Sequence, residues 1–163
     1  TGVQTCALPI WQAHNPIYND DIIYTPAVTV FKTDTEQPEI MDASDWYNVD
    51  VITCAAPNLR VKNNYNGKSS YNNAKKMTND ELLKLHEKRL KRILDTALSE
   101  DDETIILGAF GCGAFMNDPQ IVAQAAKNVI REYLYSFKNI EFAVYCSPRD
   151  DRNYRIFDRV LKK

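Results

Sequence analysis

Glycines concentrate at one point of this sequence, and that point restricts the fold more than any other feature does. Three of the chain's five glycines fall in the segment Leu107–Asn117, which reads LGAFGCGAFMN; they are Gly108, Gly111 and Gly113. A short apolar run precedes the segment, and Asp118-Pro119 follows it with the cap residue and first-turn proline typical of a helix start. The pattern predicts a strand, a tight loop and a helix. Because glycine lets the backbone approach a ligand closely, the N–H groups of such a loop can hold a phosphate.

Strand-like and helix-like segments alternate along the rest of the chain. Apolar, β-rich runs predict strands, and a capping box at Thr78–Glu81 predicts a long helix. The predicted strands are two pieces within Ile22–Lys32 separated by Thr25-Pro26, then Asp50–Ala56, Thr104–Leu107 and Ile140–Cys146; the helices are Thr78–Ser99, one from Asn117 to Phe137, and Asp150–Lys163. This order predicts an α/β sheet with helices on both faces.

Three turns follow predicted strands and are expected to meet at one edge of the sheet, where ligands of α/β proteins bind. They are Pro57-Asn58, Gly108–Phe115 and Ser147-Pro148. The polar segment Asn63–Lys76, with Tyr65 and Tyr71, is interpreted as a surface loop, with a substrate-side lid as the alternative.

Composition excludes several classes of function. The net charge is −2, which argues against binding to a nucleic acid duplex. No apolar run is long enough to span a membrane and no signal peptide is evident, so a cytoplasmic protein is expected. The four cysteines, Cys6, Cys54, Cys112 and Cys146, have no metal-ligand spacing, and no metal or cofactor is expected. Cys54 and Cys146 lie in apolar runs and are interpreted as small buried side chains.

Other interpretations of the glycine loop stay open at this point. The glycines also suit a tight turn that packs a helix on a strand without any ligand. The spacing is neither GxGxxG nor a Walker motif, so a kinase or NTPase is disfavoured. Cys112 is a conceivable nucleophile at a helix N-terminus. However, neither His14 nor His86 is an evident partner for it, and His86 fits the inner stripe of the long helix as a packed histidine.

Several segments together resemble the microbial-type poly(ADP-ribose) glycohydrolase family. In chain order they are IIYTPAVTVFK, VITCAAPNLR, RLKRILDTAL, ILGAFGCGAFMNDPQIVA and FAVYC. The resemblance implies a three-layer α/β/α, macrodomain-like fold with a mixed sheet. It also implies an ADP-ribose or poly(ADP-ribose) ligand, with ADP-ribosylated proteins as further partners.

The resemblance also implies the site. The amides of Gly111, Cys112 and Gly113 would bind the diphosphate, and Phe115 would wall the adenosine side. Ala56, Pro57 and Asn58 would form a neighbouring rim. Gly108, Phe110 and Ala114 complete the predicted ligand-binding set. Hydrolysis in this family would break a ribose–ribose glycosidic bond, with a glutamate as general acid.

The sequence departs from the family pattern in one respect. The family's catalytic element is a GGG loop followed by Gln-Glu-Glu, and neither occurs in these 163 residues. No catalytic role is therefore assigned, and the acids Asp34, Glu36, Glu39 and Asp45 are interpreted as a surface loop. We expect an ADP-ribose-binding part of a glycohydrolase that is inactive by itself. The alternatives are a non-catalytic ADP-ribose-binding module and a structural domain with an empty loop.

The first ten residues, TGVQTCALPI, resemble a translated sequencing adapter and are expected to be non-native. Residues 11–163 are then expected to form a partial, N-terminally truncated domain. A missing central strand would expose apolar faces and strand edges, so marginal solubility is expected of the chain alone.

Overall fold

The computed structural model describes residue 17 and residues 19–60, 77–147 and 149–162. It contains four strands and three α-helices in these parts of the chain. In chain order they are β1 (Ile22–Val30), β2 (Tyr47–Cys54), α1 (Asn79–Ser99), β3 (Thr104–Leu107), α2 (Pro119–Ile130), β4 (Asn139–Phe142) and α3 (Arg152–Leu161). A 3-10 turn, Ala43–Asp45, precedes β2. The predicted non-native segment, residues 1–10, and the predicted surface loop, Asn63–Lys76, lie outside the described residues. Cys6 and His14 lie outside them as well.

β1 and β2 form an antiparallel pair with a bulge between Thr25 and Val28. The two strand pieces predicted on either side of Thr25-Pro26 are therefore wrong, since one continuous strand runs through the proline. The bulge absorbs it: Ala27 has a φ of 53°, and its N–H donates to Asp50 Oδ1 at 2.6 Å. Proline is tolerated in a strand at such bulges because no ladder hydrogen bond is lost there.

β3 and β4 form a separate, parallel pair from Thr104↔Asn139 to Leu107↔Phe142. The strand predicted for Ile140–Cys146 is therefore too long, because its ladder ends where β3 ends. Cys146 lies beyond the ladder and is exposed, so its prediction as a buried side chain is wrong. Cys54, at the end of β2, is half-buried.

The helices begin where the sequence predicts. Thr78 and Glu81 form both hydrogen bonds of a capping box at the start of α1. Asp118 caps α2 by accepting from the Gln120 N–H, with Pro119 in the first turn. In α3, the helical spacing predicts an inner face made of Tyr154, Phe157, Val160 and Leu161. Phe157 and Val160 are buried and Leu161 is half-buried, whereas Tyr154 is exposed, so the prediction is wrong for Tyr154.

The main core lies where α1 and α2 pack on one face of β3. It joins side chains from both helices, the turn after α2 and β3: Ile93, Leu94, Ala97, Ile105, Leu107, Val129, Tyr133 and Phe137. The helical spacing of Val122, Ala126, Val129, Tyr133 and Phe137 predicts one buried stripe, and all five are buried. The helix itself ends at Ile130 and turns follow it, so its predicted extension to Phe137 is wrong. On the opposite face of β3, Ile106 is 66% exposed.

Candidate functional site

The glycine loop lies between β3 and α2 and is held by its own backbone. The Cys112 N–H donates to Ala109 O at 3.0 Å, and the Met116 N–H donates to Gly113 O at 3.0 Å. The Asn117 N–H closes the loop on Gly111 O at 3.1 Å. These bonds fold the segment into consecutive tight turns.

The rim predicted after β2 lies directly beside this loop. The buried side chain of Asn117 donates from Nδ2 to Pro57 O at 2.7 Å and to Gly111 O at 3.0 Å. A backbone bond from the Leu59 N–H to Phe115 O, 2.9 Å long, adds a second link. Two of the three turns predicted to meet therefore do so. The third, Ser147-Pro148, stays a prediction because Pro148 lies outside the described residues; Ser147 forms an isolated bridge with Asp150.

His86 lies behind the loop and supports Asn117. Its Nε2 is 3.0 Å from Asn117 Oδ1, and its side chain is 2% exposed. Since both Asn117 donors face carbonyl oxygens, Oδ1 accepts, and the hydrogen-bond pattern assigns the proton to His86 Nε2. Burial lowers the pKa of His86, although the Asn117 bond opposes that shift. The expected packed histidine is thus a neutral member of a polar network.

Arg89 anchors the chain that leads into the rim. Its guanidinium is 1% exposed and donates from Nη1 to Ala55 O at 2.8 Å. It also donates to Ile17 O at 2.7 Å and forms an ion pair with Asp20. The hydrogen bond from Lys88, together with Arg89, lowers the pKa of Asp20.

The three glycines of the loop have different surroundings. A Cβ at Gly111 would lie 2.6 Å from Ala56 Cβ and 2.6 Å from Asn117 Nδ2, and its φ is +76°. Gly111 is therefore required by the fold itself, because the two loops meet there. At Gly108 a Cβ would be 3.8 Å from Ala143 O, and at Gly113 it would meet nothing within 4 Å. Gly113 thus leaves open space on the loop surface.

Backbone N–H groups of the loop are available as donors, two of them at the exposed residues Gly113 and Ala114. Those of Gly111, Gly113 and Ala114 have no acceptor among the described residues. The Cys112 N–H, predicted to join them, is already bonded to Ala109 O. The Asp118 carboxylate occupies the start of α2, so the loop amides, more than the helix terminus, offer the anion site.

The aromatic residues of the loop differ in orientation. The Phe110 ring packs edge-on against His86, with ring centroids 5.8 Å apart, and joins the small core around Phe157. Phe115 is half-buried beside the rim. Of the two, Phe115 is better placed for a ligand.

The surroundings of Cys112 do not favour a nucleophilic thiolate. Burial, and next the charge of Asp118, raise the pKa of its thiol to about 12. A nucleophilic cysteine needs the opposite shift. Within the described ranges, no group of His, Cys, Asp and Glu side chains has the arrangement of a metal site. The acids Asp34, Glu36, Glu39 and Asp45 are all exposed, as predicted for a surface loop.

Comparison with solved structures identifies the fold. A poly(ADP-ribose) glycohydrolase from Deinococcus radiodurans, in complex with ADP-ribose, superposes with a TM-score of 0.77 at 27% identity over 98% of this chain. Its apo form gives 0.75. The enzyme from Thermomonospora curvata gives 0.74 at 26% identity over 97% of the chain. The chain has the fold of the bacterial poly(ADP-ribose) glycohydrolases.

The resemblance predicted from the sequence segments and the mixed α/β, macrodomain-like fold class are thus confirmed. The chain spans 59% of the length of the Deinococcus chain and 53% of the Thermomonospora chain. No protein-family model matches the sequence, and no curated protein matches it significantly. In the described parts of the chain, every helix is too short or too polar to span a bilayer.

Proposed function

We propose that this chain is the ADP-ribose-binding part of a poly(ADP-ribose) glycohydrolase, with the diphosphate held by the glycine loop. The observation that carries the proposal is the open, N–H-bearing side of the loop at Gly113 and Ala114. The structurally similar Deinococcus enzyme is described in complex with ADP-ribose, which supports the same class of ligand here.

Each part of the site has a proposed role. The N–H groups of Gly111, Gly113 and Ala114 bind diphosphate oxygens, and Cys112 contributes its N–H only if the bond to Ala109 opens. Phe115 packs against the adenosine, and Ala56, Pro57 and Asn58 form the rim. Backbone amides suit this task because they bind an anion without adding net charge.

Hydrolysis by the whole protein would break a ribose–ribose bond through an oxocarbenium-like transition state, with a glutamate as general acid. None of the residues of this chain is assigned that role. The chain by itself is therefore proposed to bind ADP-ribose without hydrolysing poly(ADP-ribose).

Calorimetric titration tests the binding site. Gly113→Val fills the open side of the loop, so its affinity for ADP-ribose should fall by at least about tenfold, or ~1.4 kcal/mol. Tyr135→Val is the control, because it introduces the same side chain at a fully exposed position outside the proposed site. ADP should compete with ADP-ribose much more strongly than adenosine does, because adenosine lacks the diphosphate. No heat of binding with the folded chain would refute the proposal.

The second candidate is a non-catalytic ADP-ribose-binding module. The backbone amides of the glycine loop would bind a diphosphate in such a module as well. Both candidates predict the same titration, so a turnover assay separates them. Release of ADP-ribose from poly(ADP-ribose) by the product of the complete gene would support the hydrolase, and binding without release would support the module.

A further inference from the structure

Positive charge is concentrated on the outer side of α3 and the turn before it. Five basic residues between positions 149 and 162 are exposed: Arg149, Arg152, Arg155, Arg159 and Lys162. The same segment contains three acids, whereas the whole chain has a net charge of −2. This surface is therefore positive on a chain that is negative elsewhere.

Three of these arginines form one row along the helix. Arg152, Arg155 and Arg159 are spaced i, i+3 and i+7, which places them on the same side of α3. At a rise of about 1.5 Å per residue, the row extends about 10 Å along the helix axis. Phe157 and Val160 are buried on the opposite side, so the helix is held with this arginine row toward solvent.

Acidic side chains neutralise the arginine row only in part. Arg155 forms an ion pair with Asp151 at 2.7 Å, but the two side chains are 77% and 44% exposed, and such a pair is weak and readily exchanged. Within the residues that the structure describes, neither Arg152 nor Arg159 forms an ion pair. Two of the three guanidinium groups thus keep an uncompensated charge.

The stability of α3 does not explain this charge. Arg152 is the first residue of the helix, and the side chain of the cap residue Asp151 makes no capping hydrogen bond. A positive charge at a helix N-terminus opposes the macrodipole and is unfavourable for the helix. An arginine at this position is better explained by recognition of an anion.

The arginine row leads to the glycine loop. Arg159 Nη2 donates to Gln120 Oε1 at 2.7 Å. Gln120 is in the first turn of α2, and its backbone N–H donates to Asp118, which directly follows the loop segment. In addition, Cys112 of the loop packs against the core that contains Phe157. The basic surface and the proposed diphosphate site are therefore neighbours.

We propose that the arginine row binds units of poly(ADP-ribose) next to the unit held by the glycine loop; this inference rests on the proposed function. Each unit of the polymer carries a diphosphate, and the loop amides hold only one of them. Guanidinium groups bind phosphate oxygens with two parallel hydrogen bonds, so a row of them suits an extended polyanion. A nucleic acid has the same charge but lacks the diphosphate that the neighbouring loop fits.

Parallel titrations with ADP-ribose and with size-fractionated poly(ADP-ribose) test the proposal. The polymer should bind the parent chain at least about tenfold more tightly than ADP-ribose, since its second contact is intramolecular. The triple variant Arg152→Gln/Arg155→Gln/Arg159→Gln should lose this advantage and keep its affinity for ADP-ribose within about twofold. The slope of log affinity for the polymer against log salt should decrease by about two, because each phosphate contact contributes about 0.7.

A second triple variant is the matched control. Arg92→Gln/Arg131→Gln/Lys138→Gln removes the same charge from exposed positions outside α3 and should bind the polymer within about twofold of the parent. Circular dichroism verifies that both variants fold. If the first variant does not fold, Arg152→Gln alone takes its place, because it removes a charge that is unfavourable for the helix; its affinity for the polymer should fall by at least about twofold.

Three results would overturn the proposal and leave the proposed function intact. The first is equal affinity of the parent and the arginine-row variant for the polymer. The second is an equal loss in the control variant, which would assign the effect to net charge. The third is displacement of the polymer by single-stranded DNA as effectively as by unlabelled poly(ADP-ribose), which would indicate a surface for any polyanion. Failure of ADP-ribose to bind the folded parent would instead refute the proposed function, and this inference with it.

Discussion

The side-chain amide of Asn117 is hydrogen-bonded to the backbone carbonyl of Pro57, which lies 60 residues earlier, at a distance of 2.7 Å. The same nitrogen donates to Gly111 O, and the amide oxygen accepts from His86. One side chain that is 2% exposed thereby fixes the glycine loop against the rim. The shape of the candidate site depends on this residue, although Asn117 need not touch a ligand.

Replacing Asn117 by alanine should therefore destabilise the fold. Pro57 O and the His86 N–H would both lose a buried partner, and each unsatisfied buried group costs about 1–3 kcal/mol. We expect the free energy of unfolding, measured with urea, to fall by about 2–4 kcal/mol. Asn139→Ala is the control, since Asn139 is exposed and makes one long bond to Thr104, and it should change stability by less than about 0.5 kcal/mol. Equal effects of the two substitutions would contradict the assigned role.

Substitution of Gly111 and substitution of Gly113 should have different effects on the free energy of unfolding. Gly111→Ala forces a Cβ to within 2.6 Å of Ala56 and Asn117 at a positive φ, so we expect a loss of about 2–4 kcal/mol. Gly113→Ala meets no atom within 4 Å, and we expect no loss. Thermal unfolding of both variants measures the difference. A stable Gly111→Ala chain would show that the contact between the loops is not as close as described.

Local signals in the sequence were sufficient for the fold class, for the bounds of β3 and for the starts of α1 and α2, whereas β2 begins at Tyr47 and not at the predicted Asp50. The capping box at Thr78–Glu81 and the helix start at Asp118-Pro119 can each be recognised from at most four consecutive residues. The end of β4 and the bulge at Ala27 were not accessible in this way. Both depend on partners distant in sequence: β4 ends because β3 ends, and the bulge is held by Asp50.

The candidate site was predicted only in part, for a similar reason. The glycine cluster located the loop, and the resemblance located the rim. Arg89, His86 and Asn117, which join them, were not identified as a network. One signal was present: Leu82, His86, Arg89, Ile93 and Ala97 fall on a single helical stripe. Polar residues inside an apolar stripe indicate buried partners, but their identity requires the tertiary structure.

Stability should depend on the protonation of His86. Burial, and the nearby charge of Arg89, hold the pKa of folded His86 below 6.5, whereas the unfolded residue has an ordinary pKa. Below that pH the unfolded chain binds the extra proton, so the free energy of unfolding falls as the pH decreases. The slope can reach about 1.4 kcal/mol per pH unit. The pKa of Asp20 is lowered from 3.8 in the folded chain. Protonation of Asp20 therefore reduces the free energy of unfolding only at more acidic pH, outside the range in which His86 titrates.

Urea titrations between about pH 7 and pH 5 measure this effect. His86→Gln removes the titrating group and keeps a donor for Asn117 Oδ1, so its stability should vary less with pH over this range. Any contribution from His14 is common to both chains and cancels. An identical slope in the parent and the variant would show that His86 is not the group responsible.

The cysteines should differ in their rates of alkylation. Cys146 is exposed, whereas burial raises the pKa of Cys54 and, with the charge of Asp118, raises that of Cys112 to about 12. Because the thiolate is the reactive species, iodoacetamide at about pH 8 should modify Cys146 at least about tenfold faster than Cys112. Mass spectrometry of digested samples measures each rate, and in urea the rates should converge. Asp118→Asn should accelerate Cys112 only slightly, since burial is the larger cause of its shift. Preferential modification of Cys112 in the folded chain would instead favour its role as a nucleophile and count against a loop that acts through its backbone.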